Sequence, residues 1–298
     1  MRRRWAAALL GLATALALTA CGGNPPGVDG GIADDWKPMA EPRPFVPESG
    51  VCHASAVESG YRAAYAPVDC AATHLTETVH VGTFTGDAAQ GDSPWRPGSR
   101  QYRTAFDDCG DKADAFLGGD WLGARLSINL VLPPAEAWSG GSRWYRCDLA
   151  EVRSLDDTSM VSREGSLAGA LAKPSPLRYG CFNPRTKDGV VEEMVPVACD
   201  KPHRSEFVGI WTAPDSSYQA FIEGDEKAVH RGCQRLIAAY AKVPNDGDIQ
   251  YRTGTIYFSP TAPEWEQGNR GVKCFSWDST RTLNRSIKGG GPKLLPVR

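Results

Sequence analysis

Beyond its first twenty residues the chain has no apolar run long enough to span a bilayer, so no membrane-crossing helix is expected there. Positive charge is not in excess either: 33 Lys and Arg stand against 35 Asp and Glu. A general nucleic-acid binder would carry a basic stripe, so nucleic acid is not an expected partner. The same balance gives no electrostatic pull toward anionic lipids. Familiar catalytic signatures are missing too. There is no Gly-x-Ser-x-Gly elbow, no Ser-x-x-Lys, no His-Glu-x-x-His and no phosphate-cradling Gly-rich loop. Nor is there a Cys-x2-Cys pair of the kind that closes most structural zinc sites. No cofactor is expected.

The amino terminus is informative by contrast. MRRRWAAALLGLATALALTAC places three arginines before an apolar stretch that ends in Leu18-Thr19-Ala20-Cys21. This reads as a secretion signal over residues 1–20 with a lipoprotein cleavage box, and Cys21 as the acylated residue (diacylglyceryl and palmitate). Two or three acyl chains hold a protein stably on a membrane, where one is marginal. The expected location is the extracytoplasmic face of the cell membrane, with the lipid anchor as the membrane contact. Residues 21–48 are rich in Gly and Pro and poor in apolar clusters, which makes them a tether. Without Arg2, Arg3 and Arg4 the remainder holds 30 basic and 35 acidic residues, a net charge of −5. Roughly 250 residues follow the tether, room for two domains of ordinary size.

Eight further cysteines fall into two sets of four: Cys52, Cys70, Cys109 and Cys147, then Cys181, Cys199, Cys233 and Cys274. The first step is 18 positions in both sets; the later steps are 39 and 38, then 34 and 41. Other residues hold the same register. VLPPAEAWSGGSRWYRC (131–147) lies over FSPTAPEWEQGNRGVKC (258–274), matching Pro133, Trp138, Gly141, Arg143 and Cys147 to Pro260, Trp265, Gly268, Arg270 and Cys274. Arg125 matches Arg252, and Ser166-Leu167-Ala168-Gly169 echoes Ser286-Ile287-Lys288-Gly289. The chain is therefore an internal duplication, with repeats at 49–172 and 178–290 and a flexible tail at 291–298. The span between Cys147 and Cys181 contains DDTS and AKPSP, which allows a hinge.

Each repeat reads roughly as strand, strand, helix, strand, strand. Tyr102, Ala105, Phe106, Cys109, Ala113 and Phe116 recur at helical spacing, as do Ile222, Val229, Cys233, Leu236, Ile237 and Tyr240. Leu126, Ile128, Leu130 and Leu132 alternate as in a half-buried strand, and YRTGTIYFSP is its counterpart. HLTETVHVGTF and HRSEFVGIW, then WYRCDLAEV and VKCFSW, supply further strands. The expected class is α+β: two tandem repeats, each a small antiparallel sheet with one helix packed on a face and two disulfides.

One motif is written twice. CAATHLTE (70–77) and CDKPHRSE (199–206) both read Cys-x3-His-x2-Glu. A zinc reading meets no second close ligand pair within a repeat, and an exported chain oxidises its thiols, so the cysteines are expected as disulfides and not as metal ligands. Identical closure of each repeat on itself leaves three pairings. The favoured one is Cys52–Cys70 with Cys109–Cys147, and Cys181–Cys199 with Cys233–Cys274, because the second bridge of each set ties the helix's buried face to the last strand. The His/Glu pairs, His74 with Glu77 and His203 with Glu206, admit two readings: an acid–base pair or ligand contact, or a structural hydrogen bond fixing a turn. Trp138 with Arg143 and Trp265 with Arg270 admit two as well: a carbohydrate-type platform, or an internal cation–π contact. In both cases the structural reading is preferred.

The set Cys…Cys-x3-His-x2-Glu…Cys…Pro-x4-Trp-x2-Gly-x-Arg-x3-Cys resembles the septum-formation domain of actinobacterial cell-envelope proteins, over both repeats. The resemblance implies a membrane-tethered protein acting near cell division or envelope assembly. It implies no reaction. The expected function is thus a non-enzymatic lipoprotein binding an envelope protein or glycan. The alternative is an envelope hydrolase or transferase that uses the repeated His/Glu pairs.

Overall fold

The computed structural model describes residues 43–298 apart from residue 225. The expected signal sequence, Cys21 and the expected tether up to residue 42 lie outside the described residues. From Pro44 to Arg298 the chain forms one compact unit. Repeat 1 runs β1 (Val51–His53), β2 (Pro67–Val68), β3 (Thr76–Thr83), α1 (Arg100–Leu117), β4 (Leu126–Val131), α2 (Ala135–Ser139) and β5 (Trp144–Glu151). Repeat 2 runs β6 (Cys181–Lys187), β7 (Val190–Val197), β8 (Ser205–Thr212), α3 (Tyr218–Ile222), α4 (Glu226–Ala241), α5 (Ile249–Arg252), β9 (Gly254–Phe258), α6 (Ala262–Gln267) and β10 (Gly271–Trp277), and α7 (Gly291–Leu294) follows it.

The two sheets have one topology. The orders are β2-β1-β3-β5-β4 and β7-β6-β8-β10-β9, with antiparallel pairing throughout. Even an irregularity is copied. The register of β3 on β5 shifts between Thr78 and His80, and that of β8 on β10 shifts at the equivalent place, between Phe207 and Gly209. The α+β class and the duplication hold. Each repeat has one strand more than its apolar pattern shows, because the edge strands lack a clear apolar alternation in sequence: β2 is two residues long, and β7 sets Glu192, Glu193 and Pro196 among its valines.

Local chemistry explains the main helices. Ser99 caps α1, its Oγ accepting from the Tyr102 N–H, and Gly118 ends it at φ 71°, a conformation glycine adopts without strain. Tyr102, Ala105, Phe106, Cys109 and Ala113 face the core as expected, with Leu117 as the last buried residue while Phe116 is only partly covered. In the second repeat Ile222 departs from expectation. The helical pattern there is broken after Ile222, with Glu223 and Gly224 in a turn, and Ile222 is 53% exposed on the separate short helix α3. Val229, Cys233 and Ile237 do form the buried face of α4. On β4, Leu126, Ile128 and Leu130 all point into the first core, joined by Leu132 just past its end.

The segment between the repeats is packed. Leu155, Leu167, Leu171 and Leu177 are buried, and Leu155 joins Phe182, Met194, Ile256 and Phe275 in a third apolar cluster on the face of sheet 2 away from α4. Tyr179 sits against the Phe207 and Phe275 rings there. The tail expected to be loose is packed as well. Gly289 N–H donates to the Tyr240 carbonyl, Leu295 is buried in the second core, and Arg252 donates to the Leu295 carbonyl. At the very end Arg298 pairs with Asp278, donates to Thr280 Oγ1 and gives its N–H to the Tyr251 carbonyl.

Candidate functional site

The twice-written motif builds a clasp. Cys70 bonds to Cys52 on β1, and Cys199 to Cys181 on β6. Cys52 stands opposite Glu77 on the neighbouring strand, as Cys181 does Glu206. The backbones of His74 and Arg163 exchange two hydrogen bonds of 2.9 Å, and those of His203 and Leu283 exchange two of 2.9 and 2.7 Å. Three residues beyond each His, the Glu carboxylate completes the join. Glu77 accepts from Ser166 Oγ at 2.6 Å and from the Leu167 N–H at 2.7 Å. Glu206 accepts from Ser286 Oγ and the Ile287 N–H, both at 2.7 Å. The repeated Ser-Leu and Ser-Ile echoes are the other half of the motif. Each copy ties the end of its repeat to its beginning, and that is why the chain carries the pattern twice.

The clasps are sealed. Glu77 is 2% exposed and Glu206 0%. His203 makes both its ring bonds internally: Nδ1 to the Lys201 carbonyl at 2.7 Å and Nε2 to Glu206 Oε1 at 3.0 Å. The first copy is looser. His74 Nδ1 meets the Ala72 carbonyl at 2.8 Å, while its buried Nε2 has no partner. Cys52, Cys70 and Glu77 offer metal-ligand atoms within 4.8 Å of one another, as do Cys181, His203 and Glu206. In both groups the sulfurs are spent in disulfides and present no thiolate to an ion. The other two bridges are Cys109–Cys147 and Cys233–Cys274, each joining the long helix to the last strand of its sheet.

The Trp–Arg pairs are internal as well. The Arg143 guanidinium lies 4.4 Å from the centroid of Trp138, and that of Arg270 lies 4.1 Å from Trp265. Both indoles are at most 2% exposed and donate Nε1–H to backbone carbonyls, of Gly91 and Ser216. Arg143 and Arg270 in turn donate to the Trp138 and Trp265 carbonyls, each at 2.6 Å. A sugar ring has no face of either indole to stack on. Each pair pins the turn between its short helix and the last strand.

A family model described as septum formation matches residues 49–274, a span that takes in both repeats and most of the chain. The chain belongs to the septum-formation family. That membership ties it to septum formation, a step of cell division. Searches of curated proteins and of solved structures return no match.

In this septum-formation protein the two repeats differ most on the sheet face away from the long helix. In repeat 1 that face carries a polar chain. His53 Nε2 meets Thr78 Oγ1 at 3.0 Å, Thr78 Oγ1–H donates to Asp148 Oδ1 at 2.7 Å, and Arg146 Nη2 donates to Asp148 Oδ2 at 2.7 Å. All four residues are buried. Burial first, and then the Arg146 charge, hold the His53 imidazole below its usual value, against the opposing Asp148 carboxylate. None of the four was singled out from sequence. The signal was available as a mismatch: His53 and Asp148 directly follow Cys52 and Cys147, where repeat 2 has Phe182 and Phe275 after Cys181 and Cys274.

Proposed function

We propose that the protein is a membrane-anchored lipoprotein, acylated at Cys21 and held on the outer face of the cell membrane. Its paired repeats bind an envelope component, protein or glycan, during septum formation, and they catalyse no reaction. The observation that carries this reading is the family match across both repeats. The non-catalytic part is supported by where the motif residues go: both His/Glu pairs lie inside, committed to the backbone and to Ser166 or Ser286. The lipid anchor rests on the box ending at Cys21. Nucleic acid is not among the proposed partners, given the net negative charge.

A fluorescent tag after residue 298, imaged in dividing cells beside a Cys21→Ala variant, tests the reading. Enrichment at septa in the parent, with release from the membrane in the variant, is expected. A uniform signal in the parent would sink the septal role, and membrane retention of the variant would sink the anchor.

A further inference from the structure

The polar chain of repeat 1 borders a partly open cavity of about 100 Å³ between the outer face of sheet 1 and residues 45 and 54–66. His53, Arg146 and Trp144 line it from the sheet, and Phe45, Ser59 and Tyr65 from the other side. Arg146 is 3% exposed; its Nη2 donates to Asp148, and among the described residues its Nε has no partner. The Trp144 indole N–H is unpartnered too. Burying a guanidinium with donors to spare is costly unless something else meets them. Such a space holds a few waters or one small anionic group. A second cavity of about 840 Å³ shares Val57, Ser59 and Tyr61 with the first, and its walls include Trp95, Pro133 and Pro134.

Repeat 2 supplies the control. The strand registers place Phe275 opposite Phe207 where repeat 1 has Asp148 opposite Thr78, and Phe182 takes the place of His53. The three rings pack edge to face at 5.4 and 5.5 Å around Phe275. One scaffold thus tolerates an apolar filling at these positions. Repeat 2 keeps a cation, Lys273, where repeat 1 has Arg146, but has no counterpart of His53, Thr78 or Asp148, so the frame does not require the polar chain that Arg146 joins in repeat 1, and a buried charged set of that kind beside a cavity is a candidate binding site.

We propose that the small cavity of repeat 1 takes the carboxylate of an organic ligand, with Arg146 as its cationic partner and the ligand's stem lying in the adjoining cleft. This names a chemistry for the envelope-binding reading and rests on that reading only for the ligand's source. The aromatic walls suit a stem of peptide or sugar, and the probes separate those sources. His53 is the reporter: its ring faces Arg146 and Asp148 as charged groups and Tyr65 as an aromatic neighbour.

The test is a titration of the full chain in detergent micelles, following the His53 ring resonances by NMR. The probes are N-acetylglycine, glucuronate, the neutral N-acetylglycinamide and inorganic phosphate. A saturable shift with one or both carboxylates and none with the amide is expected, with His53 titrating at higher pH once the anion is bound. Arg146→Lys, which carries the residue repeat 2 has at this position (Lys273), should bind roughly tenfold more weakly, about 1.4 kcal/mol. The double change Arg146→Leu with Asp148→Leu removes the buried pair together and should abolish the shift. No saturable shift up to roughly 50 mM, well past the millimolar affinity reasonable for so small a ligand, overturns the proposal. Saturation by phosphate alone overturns the assignment of class, and unchanged carboxylate binding in the double variant overturns the site. Septal localisation is scored separately, so either reading can fail without the other.

Discussion

Glu206→Gln should cost about twice what Glu77→Gln does, although the two residues occupy the same place in the two repeats. The carboxylate of Glu206 has four polar neighbours: Ser286 Oγ at 2.7 Å, the Ile287 N–H at 2.7 Å, Tyr240 Oη at 3.3 Å and His203 Nε2 at 3.0 Å. Glu77 has two hydrogen-bond donors, Ser166 Oγ and the Leu167 N–H. A glutamine keeps the shape and one acceptor, and hydroxyls can turn to accept from its NH2. What it loses is the charge on each contact, four at Glu206 against two at Glu77. A hydrogen bond to a charged group is worth about 1 kcal/mol more than a neutral one. On that basis Glu206→Gln costs about 3–4 kcal/mol and Glu77→Gln about 1.5–2 kcal/mol. Urea unfolding followed by tryptophan fluorescence reads both, provided the slopes match the parent. Equal costs in the two variants would refute the reasoning, since the clasps would then owe their strength to the disulfides and backbone alone.

Other consequences can be checked in the same assay. Gly82→Ala should cost about 1–3 kcal/mol, because its Cβ would lie 2.1 Å from Cζ of Tyr145 and the ring must move; an unchanged midpoint would show that the ring is free to shift. Replacing both Cys109 and Cys147 by Ala, across 38 positions, should cost about 4 kcal/mol, against about 3 for Cys52 and Cys70 across 18. Non-reducing peptide mapping of the parent should recover all four pairs, and a Cys70–Cys109 peptide would contradict the fold. His53 titrates lower when folded than its ordinary value of 6.5, so its contribution is complete above that pH and is lost as pH falls through 6.5 toward the folded value; His53→Gln should flatten this slope. Burial pushes Asp278 up, but the Arg298 guanidinium and the backbone N–H groups of Arg281 and Thr280 outweigh it and hold the carboxyl below 3.8. Its contribution is present above pH 3.8 and lost below, and Arg298→Ala should remove about 0.5–1 kcal/mol at neutral pH and little in acid.

The duplicated frame was legible because it is written in residues that cannot be exchanged without loss. Four cysteines per copy, a Trp that fills a core and an Arg that binds its carbonyl leave fixed spacings, and the sheet topology repeats with them. Requiring both copies to close alike left three disulfide pairings, and the cysteine on the buried face of each long helix, placed to meet the last strand, singled out the one observed. The clasp was only half legible. His and Glu stood out as a motif, but the meaning of Ser166 and Ser286 lay some ninety and eighty positions downstream, a distance no local pattern spans. The two-residue edge strand β2, the eight-residue edge strand β7 and the packed tail escaped because none of them shows a clear apolar alternation in sequence. The polar chain of repeat 1 escaped for a different reason. Comparing copies by their matches hides the positions where they part, and His53, Thr78 and Asp148 are such positions.

Leu155 and Tyr179 lie between the last strand of the first repeat and the first strand of the second, and both help cover the Phe275 cluster. A tandem duplication produces two copies of a repeat but a single connecting segment. The downstream copy thus has this segment over its outer face, whereas the upstream copy has Phe45 and residues 54–66 over its own. The first cover meets an aromatic face and the second a charged one beside a cavity. Exchanging their order would bare three phenylalanines and press Leu155 against a guanidinium.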